Sequence, residues 1–196
     1  MKLLCALLIF CFAAAAATYE VHPASDARMA LTVEKTGLYR GKMHLFLFEK
    51  YEGRLEFDPQ KPEASKIELT IDSRSLVCKD DWISQSDLKK VEQTAFDDML
   101  AVRNYPSMIF RSGSIKPLGG ARYEAQGTLT IRGLAKPVLV NVDLAVISPS
   151  RLRLSGNAVI RLTDYKLKPP SALLGAIGTK DEMTLNFVVI ATSATK

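Results

Sequence analysis

From Tyr123 to Ile131 every second position is apolar or small: Tyr123, Ala125, Gly127, Leu129 and Ile131 alternate with Glu124, Gln126, Thr128 and Thr130. Successive side chains of a strand point to opposite faces, so the stretch predicts a strand with one apolar and one wet face. Gly133 and Pro137 bracket a turn. Val138, Val140, Val142, Leu144 and Val146 then resume the alternation against Asn141 and Asp143. Two such runs joined by a short loop predict a meander of an antiparallel sheet.

The same pattern recurs along the chain. Tyr19 to His22 is a short extended start, and Met29, Leu31 and Val33 predict a strand ending at Gly37. In Lys42 to Phe48, Leu45 and Leu47 lie on one side and His44, Phe46 and Phe48 on the other. Gly53 to Pro59, the Ile67/Leu69/Ile71 run and the Met108/Phe110/Ser112 run add three more strands. Leu152, Leu154, Gly156, Ala158, Ile160 and Leu162 share one parity, and Met183, Leu185, Phe187 and Val189 close the chain. Leu167 to Gly178, with Pro169-Pro170, predicts a long loop.

One segment changes period. Leu88, Val91, Ala95, Phe96 and Met99 fall at helical spacing, which predicts one helix near 84–101, capped by Ser84 or Ser86. The expected fold is all-β: an extended, closed antiparallel barrel of about eight strands in sequential hairpins, with that helix. Closure removes the exposed edges of a long open sheet. A two-sheet sandwich is the alternative.

The N-terminus adds a location. One lysine, an apolar run of about 15 residues and five alanines fit a secretory signal peptide better than a spanning anchor, which needs about 20. Cleavage is expected after Ala17, giving a leader over 1–17 and a single domain over 18–196. The formal charge of +5 is spread along the chain, as on a solvated surface, and does not point to nucleic acid. Cys5 and Cys11 leave with the leader, so Cys78 has no partner for an intramolecular disulfide. It is either a small buried residue or a thiol open to pairing with another chain.

Catalytic constellations are thin, and no catalytic residue, cofactor or metal site is assigned. His22, His44 and Cys78 lack metal-ligand spacing, and His44 fits a satisfied surface or interface position. Asp80 and Asp81 raise the pKa of a nearby thiol, which blunts Cys78 as a nucleophile. The inner face is the more informative feature. Met108, Phe110, Tyr123, Gly127, Leu129, Ile131, Val140, Val142, Leu144, Leu154, Ile160, Leu185 and Phe187 are expected to line it, with no inward charge. A barrel of this size either fills with side chains or holds one small ligand. Gly127→Leu is expected to reduce ligand capacity while leaving the barrel folded.

Four stretches carry a resemblance: Gly53 to Pro59; Tyr105-Pro106 with Phe110 and Ser112; Gly127-Thr128-Leu129-Thr130-Ile131-Arg132-Gly133 with Lys136-Pro137-Val138; and Thr163-Asp164-Tyr165. In these the chain resembles the YceI-like family of secreted lipid-binding barrels, over nearly the whole mature length. The resemblance implies a lipocalin-like barrel around an apolar tunnel that takes long isoprenoid or other amphiphilic chains. It further implies a periplasmic or secreted location, and contact with a membrane surface follows from such a ligand. Where family members often carry a histidine before the glycine ending the first long strand, this chain has Lys35-Thr36-Gly37. The expected function is a non-enzymatic carrier of an apolar-chain ligand. The alternative is a cell-envelope interaction protein with a filled barrel, meeting its partner through Arg151, Arg153, Lys166 and Lys168. The oligomeric state stays open.

Overall fold

The computed structural model describes residues 17–193, so all but the last residue of the expected leader lies outside the described residues. In chain order the strands are β1 (Ala17–His22), β2 (Arg28–Gly37), β3 (Met43–Phe48), β4 (Tyr51–Phe57), β5 (Lys66–Asp72) and β6 (Leu76–Cys78). Helix α1 (Gln85–Gln93) follows, then β7 (Ser107–Gly119), β8 (Arg122–Ile131), β9 (Leu134–Ser148) and β10 (Arg151–Arg161). The short β11 (Ser171–Ala172) precedes β12 (Ile177–Ser193).

Strands β7 to β10 form the predicted meander, extended through β5 and β4 to β1 on one side and to β12 on the other. β1 pairs with β12 from Tyr19↔Ser193 to His22↔Ile190 and closes a ring of eight strands. The ring excludes the two-sheet sandwich. Where it closes, Val21, Ala191 and Leu152 are cross-strand neighbours and are packed almost wholly out of solvent.

The expectation of sequential hairpins is corrected at β2 and β3. They lie outside the ring, because β12 serves two neighbours on one edge. Its seventeen residues pair with β2 from Ile177↔Gly37 to Val188↔Arg28, and with β1 only from Ile190 onward. At about 3.3 Å per residue β12 is long enough for both. The sheet therefore forks, and β2, β3 and β6 form a wing beside one end of the barrel. The predicted loop over 167–178 contains β11, which pairs with the start of β12. Val146 shares the parity of the inner row but is 64% exposed. β9 outruns β8, whose pairing ends at Arg122↔Asp143, so Val146 stands beyond the rim.

The helix falls where its periodicity predicts. Ser84 caps it, its Oγ accepting from the Asp87 N–H at 3.2 Å, which decides between Ser84 and Ser86. After Gln93 the coil widens to a π-turn over Thr94–Leu100 and stops at Ala101 in the left-handed region (φ 47°). Ala95 is buried and Leu88, Val91, Phe96 and Met99 are half-buried, as for a lid rather than a core helix. Two hydrogen bonds fasten it. The Cys78 N–H donates to Glu92 Oε1 at 2.7 Å, and Arg132 Nη1 donates to the Asp98 carbonyl at 2.9 Å.

Candidate ligand-binding tunnel

The interior is not filled. Two adjoining chambers, of about 100 Å³ and about 320 Å³, lie along it. Ile71, Leu129, Ile160 and Leu185 border both and form a waist. The upper, smaller chamber is walled mainly by the ring, with Met29 of β2 and Pro62 and Ser65 of the β4–β5 connection added. The lower one is bounded by the wing, the helix and the β10–β12 connection.

The structure places the sequence-derived wall residues as follows. Phe110, Tyr123, Val140, Val142, Leu144, Leu154 and Phe187 border the upper chamber, and Met108 and Ile131 the lower. Leu129, Ile160 and Leu185 stand at the waist. The inward side chains of β9 are only half-buried although they point inside, because they face space rather than packed neighbours. At Gly113 the register of β7 against β8 shifts, and Ile115 joins the wall.

Gly127 borders neither chamber. A Cβ there would meet the Phe110 ring and the Arg111 carbonyl, both at 2.5 Å. The ring of Phe110 occupies the volume a side chain would need. Gly156 is built alike: its Cβ would lie 1.9 Å from the Asn141 carbonyl and 2.9 Å from the Phe187 ring. The glycines therefore seat aromatic rings across the sheet instead of leaving ligand space. This corrects the expectation for Gly127→Leu, which strains the β7–β8 ladder before it blocks the tunnel.

The expectation of a wall without charge holds in the upper chamber only. Its hydroxyl at Ser65 is satisfied, accepting from the Asp58 N–H at 3.2 Å. The lower chamber has Lys35, His44, Lys90 and Tyr165 on its boundary. Most of these polar groups are engaged. Tyr165 Oη donates to the Leu129 carbonyl at 3.2 Å, and burial pushes its pKa up to about 12. Lys90 pairs with Asp87 at 2.9 Å. His44 is buried, correcting its expected surface position, and its Nδ1–H donates to Asp80 Oδ2 at 2.5 Å. Asp80 Oδ1 accepts from the Leu45 N–H at 2.8 Å. Lys35 is 9% exposed, and among the described residues its ammonium has no hydrogen-bond or ion-pair partner. Burial pushes its pKa down, against a smaller upward pull from Asp80.

Cys78, His44 and Asp80 come within 4.8 Å of one another, a grouping their sequence spacing does not show. Cys78 is 3% exposed. Burial first, then the Asp80 carboxylate, push the thiol up to about 12, against a smaller downward pull from the Asp80 backbone N–H. It is buried and protonated at neutral pH, which favours the small buried residue over the thiol open to pairing with another chain. The sequence reading missed the wing side of the wall: Leu31, Val33 and Lys35 on β2, and His44, Phe46 and Phe48 on β3. The signal was present, since both rows continue a single parity into the interior.

A closed barrel around an apolar, partly empty interior, lidded by one helix, defines a lipocalin-like barrel. The YceI-like domain model matches residues 19–191, and the chain belongs to that family. A UPF0312 protein of Pseudomonas putida is 29% identical over 130 residues, which span 64% of this chain and 64% of that protein, so the match covers just under two thirds of the relative. Among solved structures, BcnA of Burkholderia cenocepacia aligns with a TM-score of 0.65 at 24% identity, covering 85% of this chain and 96% of that one. A polyisoprenoid binding domain from Saccharophagus degradans aligns with a TM-score of 0.62 at 13% identity, covering 89% and 98%. These two likenesses carry the fold.

Proposed function

We propose that this protein is a non-catalytic carrier that sequesters one apolar chain, isoprenoid-like or fatty, along the two chambers. The observation that carries this reading is the pair of adjoining unfilled chambers, which have only apolar side chains at their shared waist and no charge above it. Burial in such a space stabilises a chain by about 0.8 kcal/mol per methylene, set against several kcal/mol for immobilisation. The Saccharophagus degradans domain, described as polyisoprenoid binding, supports the same class of ligand. The chambers argue against the filled-barrel alternative.

In this reading the leader directs the chain to the periplasm or outside the cell, and the ligand is exchanged with a membrane surface. Support for the second step lies in one tip of the molecule. Leu38 and Tyr39 of the β2–β3 turn and Leu173 and Leu174 before β12 are exposed, and the Leu38 N–H bonds the Ala176 carbonyl at 3.0 Å, joining the two loops. Neighbouring Pro170, Ser171 and Ala172 border the lower chamber, and Arg40, Lys42 and Lys168 are exposed on the flanking segments. Apolar tips with basic flanks match an anionic bilayer interface. Native mass spectrometry of the purified protein tests the carrier reading. A single adduct that organic extraction removes is expected. A protein with neither adduct nor uptake of added oleyl alcohol or geranylgeraniol contradicts it.

A further inference from the structure

The alternation of β2 leads to a group that the carrier reading leaves unused. Met29, Leu31, Val33 and Lys35 share its inner face, and the last of them brings an ammonium to the lower chamber wall. Lys35 pairs across the sheet with Thr179, beside the Pro170–Ala172 border and under the exposed tip. The waist lies at the other end of the chamber. Both oxygens of the nearby Asp80 carboxylate are taken, by His44 and by the Leu45 N–H. Lys35 is thus a buried cation with a cavity in front of it and no partner among the described residues.

We propose that Lys35 holds the head group of the carried molecule, and that this head is a carboxylate. The proposal rests on the carrier reading and names the substrate class: a long-chain acid, its tail directed through the waist and its carboxylate beneath the tip. The reason is charge balance in a place where unpaired charge is costly. A carboxylate supplies one negative charge and acceptor oxygens to one ammonium. A neutral ester or hydrocarbon end leaves the ammonium unpaired. A phosphate dianion brings a second negative charge to a single unpaired ammonium, since Lys90, the other ammonium on the chamber wall, is already paired with Asp87. His44, held through Nδ1 by Asp80, has its other ring nitrogen left for a second contact with the head.

Calorimetric titration of the delipidated full chain with oleate, oleyl alcohol and hexadecyl phosphate at pH 7 tests this. Wild type is expected to bind oleate roughly tenfold or more tighter than oleyl alcohol, the worth of a charged hydrogen bond. Lys35→Met is expected to lose about 10- to 100-fold for oleate and nothing for oleyl alcohol, and Lys35→Arg to keep most of the oleate affinity. Equal binding of oleate and oleyl alcohol, unchanged oleate binding in Lys35→Met, or preference for hexadecyl phosphate overturns the carboxylate assignment and leaves the carrier standing. Failure of all three to bind overturns both.

Discussion

The two chambers share four side chains at their waist and differ in almost everything else. The upper one is walled mainly by the ring, is about 100 Å³ and is lined almost entirely by aliphatic and aromatic groups. The lower one is three times larger, is roofed by elements outside the ring and carries the buried polar cluster. The upper wall carries no charged side chain, and glycine–aromatic pairs decide how much space remains. The wing and helix are added pieces, and their junction with the ring leaves room for Lys35, His44 and Asp80. In the proposed reading one chamber holds a tail, and the other holds whatever the tail is attached to.

Disrupting the upper region at its tightest point has the largest expected effect. Gly156→Val places atoms against the Asn141 carbonyl, which belongs to the backbone and cannot swing away. A loss of about 3 kcal/mol or more is expected, seen as a fall in urea midpoint or as failure to fold. Gly127→Leu meets backbone and ring at a longer distance, and a loss of about 2 kcal/mol is expected. A folded, fully stable Gly127→Leu protein contradicts the ring-seating role.

Next in size is a change at the mouth of the lower region. Leu173→Asp with Leu174→Asp removes two exposed apolar groups and adds negative charge. Transfer of a labelled fatty chain from anionic vesicles is expected to slow about tenfold, while affinity for the chain in solution is kept. Equal transfer rates count against the tip as the loading surface.

Lys35→Met sharpens the contrast between chambers by making the lower wall resemble the upper. The change is expected to raise Tm at pH 7 by roughly 2–4 °C, the shift that about 1 kcal/mol gives in a domain of this size. Its pH dependence has a definite sign. The unfolded chain keeps this proton up to about pH 10.4, whereas the folded chain releases it at a lower pH because burial disfavours the ammonium. Between those two values the unfolded state binds more protons, so wild-type stability contributed by this group rises with pH. The advantage of Lys35→Met therefore shrinks as pH climbs toward 10, and a gap that widens instead contradicts the buried-ammonium account. The smallest effect is expected at Cys78. Cys78→Ala should leave the oligomeric state unchanged under oxidising and reducing conditions, since the thiol is buried and protonated.

The upper region was the legible one. A strand's parity is a local property, so Tyr123, Leu129, Val140 and Val142 declare their inward face within a few residues of sequence. The lower region depends on what packs against what. His44 and Asp80 are 36 residues apart and meet only because β3 and β6 pair in the wing. The inward lysine at the end of the β2 row was visible as a parity, but its burial follows from the fork in β12, which no local pattern announces. Gly127 illustrates the opposite error: its inward parity was correct, and its role belonged to the neighbouring Phe110 ring. The helix was legible in both period and cap, because its signals are local as well.

The central claim is that the two chambers act as one tunnel for one chain. The most direct measurement is the affinity of the purified protein for a series of saturated acids of increasing length. Each added methylene is expected to tighten binding by about 0.8 kcal/mol, close to fourfold, past the length that fills the lower chamber, with a plateau once the upper chamber is full. An affinity that stops rising at the waist, or never depends on length, contradicts the tunnel.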